Sequence, residues 1–296
     1  MNEKVIKVTI TLNGGTEYFT SEWDNQLSST GLAVSCNLNY GNGAITPTAQ
    51  ITIYGLTMQK MLKLMRVQWN TMQALLNTVK VEVGERGSEL TVAYEGNITQ
   101  ATIDANNAPD VPLIITSQMA VYEKAKVTAA YVLEKNVQMD AALIVEELAV
   151  GMGYQFTNDG VTHIVTDVTL EGSDLEKIQK LATMCDFDLY VEQKLIAICK
   201  RGTARTLSIP IVSPKNGNLI GYPVPDIKGV SFACLYDPNI KFGGIIRIRD
   251  SIIDVCNADW RLYGYTAQLE ANIPNGKWQI NANATWRDSK DAAVQR

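Results

Sequence analysis

The sequence holds a single histidine, His163, so a chain acting alone cannot assemble a multi-histidine metal site, and any Ser-His-Asp triad would have to be built on this one residue. Its position at the start of a β-like run gives it a structural role. Carboxylates are the remaining route to hydrolysis. Asp186 and Asp188 flank Phe187 where a helical pattern gives way to an extended one, and a period of two would point both to the same side. A glycosidase uses such a pair as acid and base or nucleophile, ~5 to 10 Å apart. Neighbouring exposed carboxylates more often serve as solvated charge that guards a strand edge, and Glu146-Glu147 reads likewise as a solvated helix face. No Gly-x-x-x-x-Gly-Lys phosphate loop, Gly-x-Ser-x-Gly elbow or dinucleotide fingerprint occurs, and Gly151-Met152-Gly153 ends a helix instead of starting one. The expectation is a non-enzymatic protein with no catalytic, cofactor-binding or metal-ligating residues.

Arg247 and Arg249 are the interface candidates. They alternate with Ile246 and Ile248, so both guanidinium groups leave one face of a strand while the isoleucines enter the core. Two uses are open to them: simple solvation, or pairing with acidic groups of a neighbouring subunit. Trp260, Tyr263, Tyr265, Trp278 and Trp286 read as core or interface filler, since no basic groove accompanies them to make a stacking platform for nucleic acid. Cys36, Cys185, Cys199, Cys234 and Cys256 are odd in number, widely spaced and mostly set among apolar neighbours, which predicts buried reduced thiols and folding in a reducing cytosol.

The elements that must carry these residues are mostly strands. Residues 4–12 alternate apolar and polar before Asn13-Gly14-Gly15; residues 32–40 repeat the pattern before Gly41-Asn42-Gly43; residues 49–54 repeat it again. From Thr57, Met61, Leu62, Met65, Trp69, Met72 and Leu76 recur at helical spacing and predict one amphipathic helix of about 20 residues. Strands follow at 79–83, 90–94, 96–103 and 111–116, with a hairpin loop at Glu85-Arg86-Gly87-Ser88. A helix packed on a closed or nearly closed sheet is the simplest architecture for this part. Next, Asp140 opens a helix that stops at Gly151, and Ser173-Asp174-Leu175-Glu176 is a capping box for another. Strands are predicted at 163–170, 187–191 and 195–199. Prolines at 210, 214, 223 and 225 lead into a final run of strands around 231–236, 244–249, 260–269 and 278–286. The expected class is mainly β with α+β, in three domains: 1–122, an N-terminal β-barrel with one helix; 123–202, a small α/β domain; and 203–296, a C-terminal β-barrel.

With 296 residues the chain can bury a sizeable core without disulfides or metals. A net charge of −5 with no basic run argues against direct, sequence-specific nucleic-acid binding. No stretch reads as a signal peptide or approaches the ~20 apolar residues of a membrane helix, so a soluble chain without membrane insertion is expected.

Several phrases together resemble the baseplate hub proteins of Mu-like contractile-tailed phages and tailocins. They are Ala49-Gln50-Ile51-Thr52-Ile53-Tyr54-Gly55-Leu56 running into a helix, Val81-Glu82-Val83-Gly84, Tyr94-Glu95-Gly96-Asn97-Ile98, the segment from Ala149 to Val161 with Gly172-Ser173, and then Gly221-Tyr222-Pro223, Phe242-Gly243-Gly244 and Pro274-Asn275-Gly276-Lys277-Trp278. Their order and spacing cover nearly the whole chain. The resemblance implies two domains like the tail-tube protein, in a homotrimer that adapts a sixfold tube to a threefold spike. It implies as partners further copies of the chain, the tail tube protein or tube initiator, the central spike, and the tape measure protein and baseplate wedge. Localisation would be the virion tail baseplate, assembled in the bacterial host cytoplasm. The competing readings are a tail-associated cell-wall-degrading enzyme and a secretion-system spike component.

Overall fold

The computed structural model describes residues 3–12, 15–22, 31–41, 46–65 and 76–287. The chain is mainly β with few helices, and it folds as two compact units. Unit 1 is Met1–Asn39, Pro47–Tyr122 and Thr266–Ile280; unit 2 is Tyr40–Thr46, Glu123–Tyr265 and Asn281–Arg296.

Unit 1 begins with β1 (Lys4–Leu12), β2 (Gly15–Thr20), β3 (Ala33–Gly41) and β4 (Thr48–Tyr54), then the helix α1 (Met58–Leu64), then β5 (Thr78–Glu85), β6 (Thr91–Ile103) and β7 (Leu113–Gln118). Alternation in the sequence becomes a ladder of β-branched pairs. Across β1 and β5, Ile6 faces Val83, Val8 faces Val81 and Ile10 faces Val79, all six buried. Across β4 and β7, Ile51 faces Ile115 and Ile53 faces Leu113. Side chains of this size contribute ~1.5–3 kcal/mol each on full burial, and branched partners directly opposite one another add to that.

The structure corrects several expectations in this unit. The stretches 90–94 and 96–103 are one strand, β6, whose register shifts against β5 near Ala93 and against β7 near Thr99; bulges let a single strand bend where the alternation lapses. Thr57 caps α1 through its side chain as expected, but the helix stops at Leu64, because Met65 is extended with ψ 116°. The rest of the expected 20-residue helix, residues 66–75, lies outside the described residues, as do most of the turns expected at 13–15 and 41–43. The sheet is not closed into a barrel. Its path through the unit ends at β2, a strand of six residues that pairs only with β1 among the described strands.

Unit 2 contains α2 (Val121–Ala125, at its boundary), β8 (Tyr131–Val132), β9 (Gln138–Asp140), α3 (Ala141–Gly151), β10 (Gln155–Asp159), β11 (Ile164–Thr166), β12 (Thr169–Leu170), α4 (Asp174–Cys185), β13 (Phe187–Glu192) and β14 (Leu195–Lys200). Asp140 caps α3, accepting from Ala142 N at 3.0 Å, and Gly153 takes the positive φ of 78° that ends it. The capping box of α4 is complete: Ser173 Oγ accepts from Glu176 N at 3.2 Å, and Glu176 Oε2 accepts from Ser173 N at 3.1 Å. The strand expected at 163–170 is split into β11 and β12 by Asp167, whose φ of 53° breaks the extended run. β10, β14 and β13 form a three-stranded sheet with β10 parallel and β13 antiparallel to the central β14.

The unit continues through β15 (Ile211–Val212), β16 (Leu219–Pro225), β17 (Gly229–Leu235), β18 (Ile245–Ile248), β19 (Asp259–Ala271) and β20 (Trp278–Trp286). β16 pairs only with β17 among the described strands, so the same strand order ends here in its other open edge and does not close. β3, β19 and β20 each lend residues to both units. All five cysteines are buried and free, as the sequence predicts, and burial raises the Cys234 thiol to about 12.

Gly229 opens β17 with φ +151°, and a Cβ there would collide with the backbone carbonyl of Ala284. Because backbone cannot swing aside as a side chain can, Gly229→Ala is expected to cost at least ~1–3 kcal/mol, read as a lowered urea midpoint at unchanged slope.

Candidate assembly site

β13 alternates Phe187, Asp188, Leu189, Tyr190, Val191, Glu192, so one face is apolar and the other carries two carboxylates and a phenol. The apolar face belongs to the layer with α4. The polar face is also dry, and it is met by two arginines from later in the chain. Arg205 Nη1 donates to Glu192 Oε2 at 2.9 Å and to the carbonyl of Phe242 at 3.0 Å, while Glu192 Oε1 accepts from Phe242 N at 3.2 Å. Arg261, 2% exposed, donates to the carbonyl of Thr203 at 3.1 Å and lies 3.5 Å from Asp188 Oδ2, which also accepts from Gly202 N at 3.0 Å. Between them Tyr190 packs edge-on against Phe242 with its hydroxyl held well above its usual pKa, chiefly by burial. The cluster binds the α/β part of unit 2 to the strands that follow it. Its acids and bases are spent on one another, so it offers no free acid or base for chemistry.

This arrangement corrects the sequence expectation for Asp186 and Asp188. They are not an exposed pair on one side of a strand. Asp186 is the left-handed C-cap of α4, with φ 54°, and accepts from Arg201 at 2.7 Å; Asp188 is buried in the cluster. The helix cap turns the chain between them, which removes the period-two relation. His163 is exposed at the edge of β11, and Glu146 and Glu147 lie on the exposed side of α3. Among the described residues no group of three or more His, Cys, Asp or Glu side chains could hold a metal ion, and no helix is long and apolar enough to cross a membrane.

Arg247 and Arg249 do emerge together, with Ile246 and Ile248 buried behind them. Both meet Asp259 of the same chain: Arg247 through Nε at 2.7 Å and Nη2 at 2.8 Å, Arg249 through Nη2 at 3.1 Å. The hydrogen bond from Arg247, helped by both positive charges, holds the Asp259 carboxyl below its usual value. Two cations share one anion here, so the group carries net positive charge at a half-exposed site. Three charged residues of unit 2, Arg205, Arg261 and Lys177, escape sequence reading because Lys and Arg are ordinarily solvated. Lys177 is 1% exposed and donates to Thr128 Oγ1, the carbonyl of Ala129 and Asp174 Oδ1 at 2.6–2.9 Å.

What remains at the surface is the stuff of contacts: open strand edges at β2 and β16, exposed Met58 and Leu62 on α1, and exposed Ile220, Tyr222 and Val224 on β16. A model of the baseplate hub gp41 family matches residues 5–273. The chain belongs to that family. The resemblance drawn from short phrases of sequence is thereby borne out, and so is the non-enzymatic reading, since the baseplate hub is a structural family. The hub fold recurs in solved structures at low identity. The 43 kDa tail protein of prophage MuSo2 from Shewanella oneidensis aligns over 100% of both chains at 9% identity, with a TM-score of 0.59. A tail protein from Neisseria meningitidis MC58 aligns over 98% of this chain and 99% of its own at 8% identity, with a TM-score of 0.62. The E. coli c3393 protein, a type VI secretion system component described as similar to tail proteins gp27 and gp5 of bacteriophage T4, aligns over 89% of this chain and 75% of its own at 9% identity, with a TM-score of 0.55. No curated protein matches the hub chain by sequence. Family membership places it in the phage tail baseplate.

The buried and half-exposed charges differ in what their removal should do. Glu192→Ala leaves Arg205 buried without its carboxylate and is expected to cost ~3–5 kcal/mol, whereas Glu192→Leu combined with Arg205→Met is expected to cost far less; urea unfolding of the single and double variants compares them. Asp259 has a folded pKa below the unfolded value of ~3.9, so its stabilisation is present above that pH and is lost as pH falls through the folded value. Acid titrations of wild type and Asp259→Asn should differ by a constant amount well above the unfolded carboxylate value and converge as pH falls through the lower folded one.

Proposed function

We propose that three copies of this chain close into a ring at the end of a contractile tail tube, adapting the sixfold tube to a threefold central spike. The observation that carries this reading is the pair of compact units together with the two open ends of the main strand order, β2 in one and β16 in the other. Three copies offer six such units. Open edges that a lone chain leaves bare would be covered by the neighbouring copy, so that tube-like barrels are completed in the ring. In this reading residues 1–122 supply the first tube-like element, 123–202 the α/β element and 203–296 the second, with 266–280 returning to the first. Arg247 and Arg249, with one carboxylate between them, are candidates to engage acidic groups on a partner. Further partners are the tail tube protein or tube initiator, the spike, the tape measure protein and a baseplate wedge, and assembly takes place in the bacterial host cytoplasm. A net charge of −5 suits a channel through which DNA passes without sticking.

A second reading, a spike-complex component of a secretion system, is favoured by one observation: the c3393 protein carries this fold in a type VI secretion system. A Francisella VgrG complex with PdpA shares it too, at a TM-score of 0.53 and with 59% of that chain covered. Static light scattering on the full chain is expected to return the mass of three copies of 32.6 kDa, and a particle map of intact tails is expected to place one trimer between tube and spike. A chain that stays monomeric and is missing from the tail map removes the ring reading; the same trimer found only in a headless secretion apparatus selects the second.

A further inference from the structure

Charge is unevenly shared along unit 2. Residues 123–202 hold 13 acidic and 8 basic residues, whereas residues 203–296 hold 8 acidic and 11 basic. Asp188 and Glu192 from the first stretch cancel Arg261 and Arg205 from the second inside the β13 cluster, and an acidic surplus still remains on the α/β part. Its densest point is the outer face of α3. Glu146 and Glu147 are the one adjacent pair of acidic residues in the sequence, and α3 contains no lysine or arginine. Ala142, Ile144, Val145 and Leu148 are buried, while Leu143, Glu146, Glu147 and Val150, at i, i+3, i+4 and i+7, share the exposed side. Leu143 is 57% and Val150 62% exposed. Tyr131 donates to Glu147 Oε2 at 3.2 Å, and no cation among the described residues pairs with either carboxylate.

The outward face of β18 has the same plan with the opposite sign. Ile211 faces Arg247 across the parallel ladder of β15 and β18, with Val212 and Ile248 buried behind, so isoleucine and arginine stand side by side on the surface. Ile211 and, two positions earlier, Ile209 are both exposed. Asp259 offsets one of the two positive charges of Arg247 and Arg249. Arg249 gives one N–H to Asp259 and one to the carbonyl of Ile248, which leaves three of the five on its guanidinium for a partner. Solvation alone asks for no aliphatic neighbours around a charge. A contact between subunits uses both: aliphatic side chains supply buried area, and charges fix register and reject wrong partners.

We infer that the Glu146–Glu147 face of α3 in one copy docks on the Arg247–Arg249 face of β18 in the next. This rests on the ring reading above and names the partner of the arginine pair within it. Charge decides the pairing. Two α3 faces brought together would set carboxylate against carboxylate, and two β18 faces guanidinium against guanidinium; the unlike pairing cancels charge on both. Contact between two different patches is heterologous, the kind that closes copies into a ring of three and not into a twofold dimer. Within the junction Glu146, which has no cation of its own chain, is matched to Arg249, which has donors to spare, and Leu143 and Val150 meet the isoleucines beside β18.

The test exchanges one charge across the junction. Glu146→Arg, Arg249→Glu and the two combined are made in the full chain, and static light scattering at low salt reads the concentration at which half the chains are trimeric. Glu146 is exposed and Arg249 half-exposed, so far-ultraviolet circular dichroism should match wild type. Each single substitution sets like charges together and should raise that concentration at least ~10-fold; the combined chain restores an opposite pair and should return to within ~3-fold of wild type. If Arg249→Glu unfolds the chain beside Asp259, Glu146→Gln and Arg249→Gln replace the reversals, and together they should weaken assembly no more than either does alone. Single variants that assemble like wild type overturn the contact while the ring stands. Single variants that weaken assembly, with no recovery in the combined chain, overturn the pairing of α3 with β18. A wild type that is monomeric at its highest soluble concentration overturns the contact together with the ring.

Discussion

The polar face of β13 is the constraint on which unit 2 depends. Asp188, Tyr190 and Glu192 point the same way from a strand whose other face is apolar, and both faces are dry. Burying charge costs several kcal/mol per ion even after relaxation, and only a close, well-bonded partner offsets it. Arg205 and Arg261 meet that demand by bringing the loop after β14 and the start of β19 onto the strand. A slip of one residue would set Leu189 and Val191 against guanidinium groups and push both carboxylates among the apolar side chains on the α4 side. The ion pairs therefore decide which strand register is tolerable, while apolar packing around Tyr190 and Phe242 supplies the attraction. Gly243 belongs to the same arrangement, because a Cβ at its φ of +77° would run into the Tyr190 ring.

Unit 1 is held by different physics. Its register rests on cross-strand matching of Val and Ile over β1, β5, β4 and β7, with buried polar exchanges such as Tyr94 to Ser117 and Ser117 to the carbonyl of Asn97. Exposed ion pairs such as Lys63 with Glu17 and Arg86 with Glu3 each contribute little on their own. Such a sheet tolerates open edges as long as something guards them. At β16 the guard is proline, which discourages indiscriminate strand pairing.

Much of this is legible in the sequence, for reasons that differ by element. β1 and β20 match their expected limits residue for residue, at 4–12 and 278–286, because strict alternation with β-branched or small residues has no competing helical reading. The caps at Asp140 and Ser173 are legible because capping is local chemistry. Lapses come where distant contacts decide. Nothing within a few residues of Lys177, Arg205 or Arg261 announces burial, since their partners come from 13 to 73 positions away as well as from the adjacent turn. The bulges that make β6 one strand are equally invisible, because they exist only relative to β5 and β7. Arg247 and Arg249 do share the expected strand face, but Asp259 belongs to the next strand, and spacing alone does not assign it to them.

Unit 1 is completed by residues 266–280, where Asn272 Nδ2 donates to the carbonyls of Ser21 and Leu32 and Glu270 meets Ser35. On the ribosome, the first seven strands of this protein must therefore wait, with the β3 border uncovered, until residues 266–280 have been made. Its two units cannot mature in sequence like beads, and no single cleavage of the chain can release either one whole. A nascent hub that stalls before residue 266 is consequently left with two unfinished bodies, which ties the maturation of both to the synthesis of β19 and β20.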